Sequence, residues 1–169
     1  MNLLIVRHAP AGDAKEKRAW ARSGKPASER PLSALGREKM KEAAMGLAGA
    51  VGQLDLIATS PYARAFETAV IVRKRLRAPL EETETLAPGA KPAAFAAWLK
   101  KRAERSIAAV GHEPHLGTLI AWLCTGSSIA FAKLKKGQAC LLEVREPVPG
   151  GARLVWSLAP AQLRALARR

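Results

Sequence analysis

Four consecutive aliphatic residues near the start of the chain, Leu3-Leu4-Ile5-Val6, stop abruptly at Arg7-His8. A half-exposed strand would alternate apolar with polar residues. An unbroken run instead suits a strand buried on both faces, the condition of a parallel sheet covered by helices. Ala9-Pro10-Ala11-Gly12 then ends the extended pattern. Such a strand delivers the next residues to its carboxyl end, where open α/β sheets place their ligands. Arg7 and His8 are therefore candidate site residues, provided that later segments bring partners to the same edge.

The rest of the chain repeats the theme. A polar connection from Gly12 to Arg30 carries a short helix around Glu16–Arg22. Its length marks it as a functional loop or a flexible segment. Ser33 is a suitable N-cap for a helix whose Met40, Ala43, Ala44, Leu47 and Val51 recur at helical spacing, and Gly52 can terminate it. Leu54–Thr59 reads as a second strand. Ser60-Pro61 reads as a cap and helix start, leading to an apolar stripe of Tyr62, Phe66, Ala69, Val70 and Leu76 that runs to Arg77. Pro79–Thr83 reads as a third strand, Pro92–Arg105 as a helix and Ser106–Val110 as a fourth strand ending in Gly111-His112. Pro114 opens a helix that buries Leu116, Leu119, Ile120 and Leu123. Gly137–Arg145 and Ala152–Leu158 form a hairpin around a Pro/Gly-rich turn, and Pro160–Arg168 a last helix. This order predicts an α/β fold: a three-layer α/β/α sandwich with a mostly parallel central sheet, an antiparallel edge strand, and one domain over residues 1–169.

Three of these strands finish in polar groups on one side of the sheet: Arg7-His8, Ser60-Pro61 leading to Arg64, and Gly111-His112. Two arginines and two histidines converging there make a dense cationic pocket. Guanidinium forks match phosphate oxygens. A histidine can attack phosphorus and carry it covalently, and a second, if protonated, can stabilise charge on the oxygens in transit. No carboxylate cluster with Mg²⁺ spacing and no Gly-rich phosphate loop accompanies them. The residues favour phosphoryl transfer through a phosphohistidine, with no metal and no cofactor.

Charge narrows the partner. With 28 Lys and Arg against 14 Asp and Glu, the formal net charge is +14, which attracts anionic partners where it is not simply solvated surface. Aromatic residues are 5% of the chain and do not interleave with the basic clusters, which argues against a nucleic-acid stacking platform. No apolar run approaches the roughly 20 residues that span a bilayer, and no signal-peptide pattern opens the chain. Cys124 and Cys140 have neither metal-ligand nor disulfide spacing and read as free thiols. A cytoplasmic protein is expected, with no membrane contact and as a monomer.

Four segments resemble the histidine phosphatase (phosphoglycerate-mutase-like) superfamily, and within it the small SixA-like phosphohistidine phosphatases. Leu4-Ile5-Val6-Arg7-His8-Ala9 resembles the family's opening signature, and Arg30-Pro31-Leu32-Ser33-Ala34-Leu35-Gly36 its next segment. Ser60-Pro61-Tyr62-Ala63-Arg64-Ala65-Phe66-Glu67-Thr68-Ala69 resembles the second arginine motif, and Val110-Gly111-His112-Glu113-Pro114 the second histidine motif. The resemblance implies a phosphoglycerate-mutase-like fold. It also implies His8 as nucleophile, with Arg7, Arg64 and His112 binding the phosphate and stabilising the transition state. The implied partner is a phosphohistidine-bearing protein, such as a histidine phosphotransfer domain or a phosphocarrier protein in signal transduction.

Family members that act on phosphate esters carry a carboxylic acid in an insertion this chain lacks. The local carboxylates Glu81, Glu82 and Glu84 read either as a general acid or as a solvated strand edge. An alcohol leaving group needs protonation, whereas an imidazole, with a conjugate-acid pKa of about 6.5, needs it far less. A site without a dedicated acid suits a phosphorus–nitrogen bond. A broad phosphomonoesterase on small metabolites is the alternative enzyme. A phosphoprotein- or nucleic-acid-binding module without turnover is the alternative outside enzymes. Of the remaining residues, His115 reads as rim or surface, Glu113 as orienting His112 or favouring a helix N-terminus, and the four tryptophans as packing.

Overall fold

The computed structural model describes residues 1–168; Arg169, the last residue of the expected domain, lies outside them. The strands are β1 (Asn2–Arg7), β2 (Leu56–Thr59), β3 (Leu80–Glu82), β4 (Ser106–Gly111), β5 (Ala139–Val144) and β6 (Ala152–Leu158). The α-helices are α1 (Ala14–Arg22), α2 (Ala34–Val51), α3 (Ala63–Leu76), α4 (Pro92–Leu99), α5 (His115–Thr125) and α6 (Pro160–Leu166). One sheet holds all six strands in the order β3-β2-β4-β1-β5-β6. Strands β1 to β4 are mutually parallel. The β5–β6 hairpin adds antiparallel pairing at one edge. This is the α/β/α sandwich with a mostly parallel sheet and antiparallel pairing at one edge that the sequence predicts.

Alternation along β1 divides the core. Leu4 and Val6 point to the layer that packs Met40, Ala43 and Leu47 of α2, Ala65, Ala69 and Val72 of α3, and Leu163 of α6. Leu3 and Ile5 point to the layer of Phe95 and Leu99 of α4 and Leu116, Leu119 and Leu123 of α5. All four strand residues are fully buried, which is why the run contains no polar residue. In the first layer, α2 comes very close to α6. A Cβ on Gly46 would lie 1.9 Å from the Leu163 carbonyl oxygen, so only glycine permits that approach.

Three elements depart from the sequence reading. The fourth helix stops at Leu99 instead of Arg105. The chain must turn back there to enter β4, and the Asp55 carboxylate accepts the Arg105 and Ser106 amides to fix that entry. Ser60 does not cap α3, whose N-cap is Tyr62; its hydroxyl accepts from the Tyr62 amide at 3.3 Å and meets His112 Nε2. The connection from Gly12 to Arg30, open to a flexible reading, is ordered: it carries the expected helix as α1, started by a capping box between Asp13 and Glu16, and a short 3-10 turn at Ala27–Glu29. No residue of α1 is buried, so it sits on the outside as a rim. Among the described residues, no helix is long and apolar enough to cross a membrane.

Candidate active site

The parallel register brings the strand ends level. Val6 pairs with Val110, which pairs with Thr59; Arg7 pairs with Gly111. The next residues, His8, Ser60 and His112, therefore leave the sheet together. His8 and His112 face one another with ring centroids 5.1 Å apart and planes at 53°. Tyr62 meets His112 edge-on at 5.3 Å, and its ring lies 5.1 Å from the Arg64 guanidinium. His8, Arg64 and His112 are all buried, and Arg7 is partly so.

Hydrogen bonds set each side chain. The His8 Nδ1 atom lies 2.7 Å from the Ala9 carbonyl oxygen. A carbonyl can only accept, so Nδ1 carries the proton and Nε2 keeps its lone pair. The Ala9 amide donates to Thr68 Oγ1 at 3.0 Å, and that hydroxyl donates to the Arg64 carbonyl at 2.7 Å. Thr68 thus ties the segment after His8 to the helix that carries Arg64. Arg64 Nη1 donates to the Ala27 carbonyl at 2.8 Å, which joins the rim to the pocket. Arg7 Nη1 donates to the Leu134 carbonyl at 2.5 Å, while the Leu134 amide donates to Glu113 Oε1 at 2.9 Å. His112 Nε2 shares a hydrogen bond with Ser60 Oγ at 2.9 Å. Among the described residues, the Nε atoms of Arg7 and Arg64 and Nδ1 of His112 are buried without a protein partner. Three buried polar atoms of this kind suit an incoming oxyanion.

The electrostatics agree. Burial, followed by the charges of Arg64, Arg7 and Lys136, outweighs the Ala9 hydrogen bond and holds the His8 imidazole down to about 3. Burial and then His8, Arg64, His115 and Arg7 hold His112 down to about 2. Both rings are neutral at pH 7 without an anion, so the protonated His112 considered from the sequence requires a bound negative charge. Burial also lowers Arg7 and Arg64, with the Glu113 charge opposing it at Arg7 and the Arg30 charge adding to it at Arg64. Lys136 is lowered by burial and by the Arg7, Arg30, Lys17 and Arg64 charges. A pocket whose groups all resist positive charge attracts an anion.

The four residues named from the sequence come together. The carboxylates named as acids do not join them in the charge balance, since no carboxylate is among the groups that shift His8 or His112. Glu81 is held in an ion pair with Arg102, whose guanidinium stacks 3.8 Å above Trp98. Glu82 and Glu84 are exposed. His115 is buried, with both ring nitrogens unpartnered, rather than at the surface; it starts α5, whose first turn packs under the segment leading from that helix to β5. Glu113 holds Leu134 rather than His112. Sequence reasoning also missed Ser60 and Thr68 as positioning hydroxyls and Lys136 and Arg30 as pocket charges. The only signal for them was Ser60, Thr68 and Arg30 lying inside the quoted motifs.

Comparison with known proteins decides the family. The profile of the histidine phosphatase superfamily (branch 1) matches residues 3–87, half of the chain. This chain belongs to that superfamily. An uncharacterised protein of the cyanobacterium Picosynechococcus sp. is 31% identical over 140 residues, covering 80% of this chain and 81% of its own. The structure of the protein histidine phosphatase SixA complexed with tungstate superposes with a TM-score of 0.81 at 25% identity, covering 96% and 99% of the two chains. A mycobacterial glucosyl-3-phosphoglycerate phosphatase shares the fold, with a TM-score of 0.68 at 18% identity over 94% and 99%. Within the superfamily the chain is SixA-like. In this phosphatase the family match covers the strand with Arg7-His8 and the helix with Arg64, and the β4 end brings His112 to them.

Proposed function

We propose that this phosphatase removes the phosphoryl group from phosphohistidine on a protein, through a covalent phosphohistidine on His8. The observation that carries the reading is the His8 tautomer. Nδ1–H is fixed on the Ala9 carbonyl, so the Nε2 lone pair is free, uncharged and flanked by two guanidinium groups. Nε2 attacks phosphorus and the P–N bond of a substrate imidazole protonated on its far nitrogen breaks, its electron pair returning to the ring, which leaves as neutral imidazole. Arg7 and Arg64 hold the phosphoryl oxygens, and the anion raises the proton affinity of His112, which then donates to an oxygen. Water next attacks phosphorus, the P–Nε2 bond breaks, and phosphate leaves His8 neutral. The likeness to SixA holding tungstate, a tetrahedral oxyanion, supports an oxyanion pocket at these strand ends.

The leaving group supports a phosphorus–nitrogen substrate. The charges that bear on His8 and His112 come from cations and imidazoles and from no carboxylate, which argues against a carboxylic acid poised to protonate an alkoxide. An imidazole that takes its proton on the far ring nitrogen leaves as the neutral ring without an acid from the enzyme. A synthetic phosphohistidine peptide incubated with the protein should release inorganic phosphate, and His8→Ala should abolish release. Mass spectrometry of a quenched reaction should find the phosphoryl group on His8. Efficient hydrolysis of sugar phosphates that Glu82→Gln or Glu84→Gln removes would replace this reading with a phosphomonoesterase.

A further inference from the structure

The structure leaves an exposed apolar pair beside this cationic pocket. Ile129 is 82% and Phe131 55% exposed in the segment between α5 and β5. Isolated exposed apolar residues are ordinary, but these two sit two residues apart on a segment that is anchored at the site. Its end is fixed from both sides: Leu134 is buried, accepts from Arg7 and donates to Glu113. The Gly137 amide then donates to the Arg7 and His8 carbonyls. Its middle crosses the first turn of α5, where a Cβ on Gly117 would lie 2.8 Å from the Ala132 carbonyl oxygen and 3.4 Å from the Ala130 Cβ. That turn begins three residues after His112. Ile129 and Phe131 therefore project from a backbone that packs on α5 and leads within a few residues to the pocket at Leu134, with exposed Lys133, Lys135 and Lys136 along that stretch.

We infer that residues 129–136 form a docking platform for the protein that carries the phosphohistidine, and that this partner presents an apolar patch edged by Asp and Glu beside its phosphorylated residue. The inference rests on the phosphohistidine reading above and adds the partner's surface to it. Charge complementarity selects the occupant. The charges of Arg7, Arg30, Lys17 and Arg64 all bear on Lys136, and the whole chain carries +14. A second copy would bring the same excess of positive charge to the contact, whereas an acidic partner is steered toward it. The apolar pair supplies the desolvated contact and the lysines the rim, the usual division of an interface.

The test compares two phosphohistidine peptides, one flanking the residue with Leu, Phe, Asp and Glu and one with Gly, Ser and Asn. Potassium phosphoramidate serves as the small substrate. The unsubstituted protein should show a KM about tenfold lower for the apolar-acidic peptide, and added salt should shrink the difference. Ile129→Ser/Phe131→Ser should erase the preference while leaving phosphoramidate turnover and the melting temperature unchanged. Equal KM values in the unsubstituted protein, or a preference that survives the double variant, would overturn the platform. So would dimerisation, or sedimentation with phosphatidylserine vesicles, that the double variant abolishes, since these assign the pair to a second copy or to a membrane. Failure to release phosphate from either peptide would instead overturn the phosphohistidine reading itself.

Discussion

Lowering the pH from 7.5 to 5 should cost the native state about 4 kcal/mol through His8 and His112. Both imidazoles have native values far below the ordinary 6.5, at about 3 and about 2, with burial as the leading cause. In the unfolded chain each takes up a proton once the pH falls below 6.5, and in the native state neither does at pH 5. Stability then rises with pH, because the unfolded state binds more protons. It is complete above 6.5 and is lost progressively as the pH falls toward 3. Each pH unit below 6.5 costs about 1.4 kcal/mol per group, hence about 2 kcal/mol for each histidine at pH 5. The size of the loss depends only on both native values lying well below 5. It is a large share of the roughly 5–15 kcal/mol that holds a domain together. Urea unfolding followed by tryptophan fluorescence at the two pH values measures it. His8→Asn/His112→Asn should remove this share of the pH dependence, while the carboxylates and His115, itself lowered by burial, titrate in both proteins. Equal pH dependence, within about 1 kcal/mol, would refute the argument by showing that the rings are already protonated in the native pocket. Inorganic phosphate should reduce the loss, since an anion between the arginines favours the charged imidazole.

Thr68→Val keeps shape but leaves the buried Ala9 amide without its acceptor. It should cost about 2 kcal/mol and lower Tm by roughly 4–8 °C, with a fall in kcat because the amide follows the nucleophile. Ser60→Ala removes the partner of His112 Nε2. It should lower kcat on a phosphohistidine peptide about tenfold, seen in phosphate-release kinetics, and lower Tm by a few degrees because a buried ring nitrogen and the Tyr62 amide lose their partner. Gly46→Ala drives a methyl group into the Leu163 carbonyl. It should destabilise the protein by about 1–3 kcal/mol as α6 shifts from α2, read by thermal melting, with turnover at low temperature little changed.

Much of the fold was legible because its signals are local. Leu3–Val6 declares a strand buried on both faces; Ser33 and Gly52 bracket α2 through N-cap and C-cap geometry; Pro92 and Pro160 start helices through their fixed φ. The Arg7-His8 pair was legible as a strand end, Arg64 as the first helical turn after the second strand, and His112 as the end of the fourth strand at the same edge. The end of α4 was not. Three successive cations and a good helical composition continue past Leu99, but the chain must turn to meet Asp55, a contact between residues fifty apart.

The site divides along the same line. Residue identities and strand order determined that two arginines and two histidines gather at one edge of a parallel sheet, because covalent continuity and right-handed crossovers leave few alternatives. Their chemical state came from the tertiary structure alone. The Ala9 carbonyl selects the His8 tautomer, burial and neighbouring cations keep both rings neutral, and Glu113 reaches past His112 to hold Leu134. Ser60 leaves a helix cap for His112, and Lys136 adds charge from a segment more than a hundred residues from His8. Sequence spacing encodes which groups reach an edge. Solvation and the distances between groups remote in the chain decide what protons they carry, and these exist only once the chain has folded.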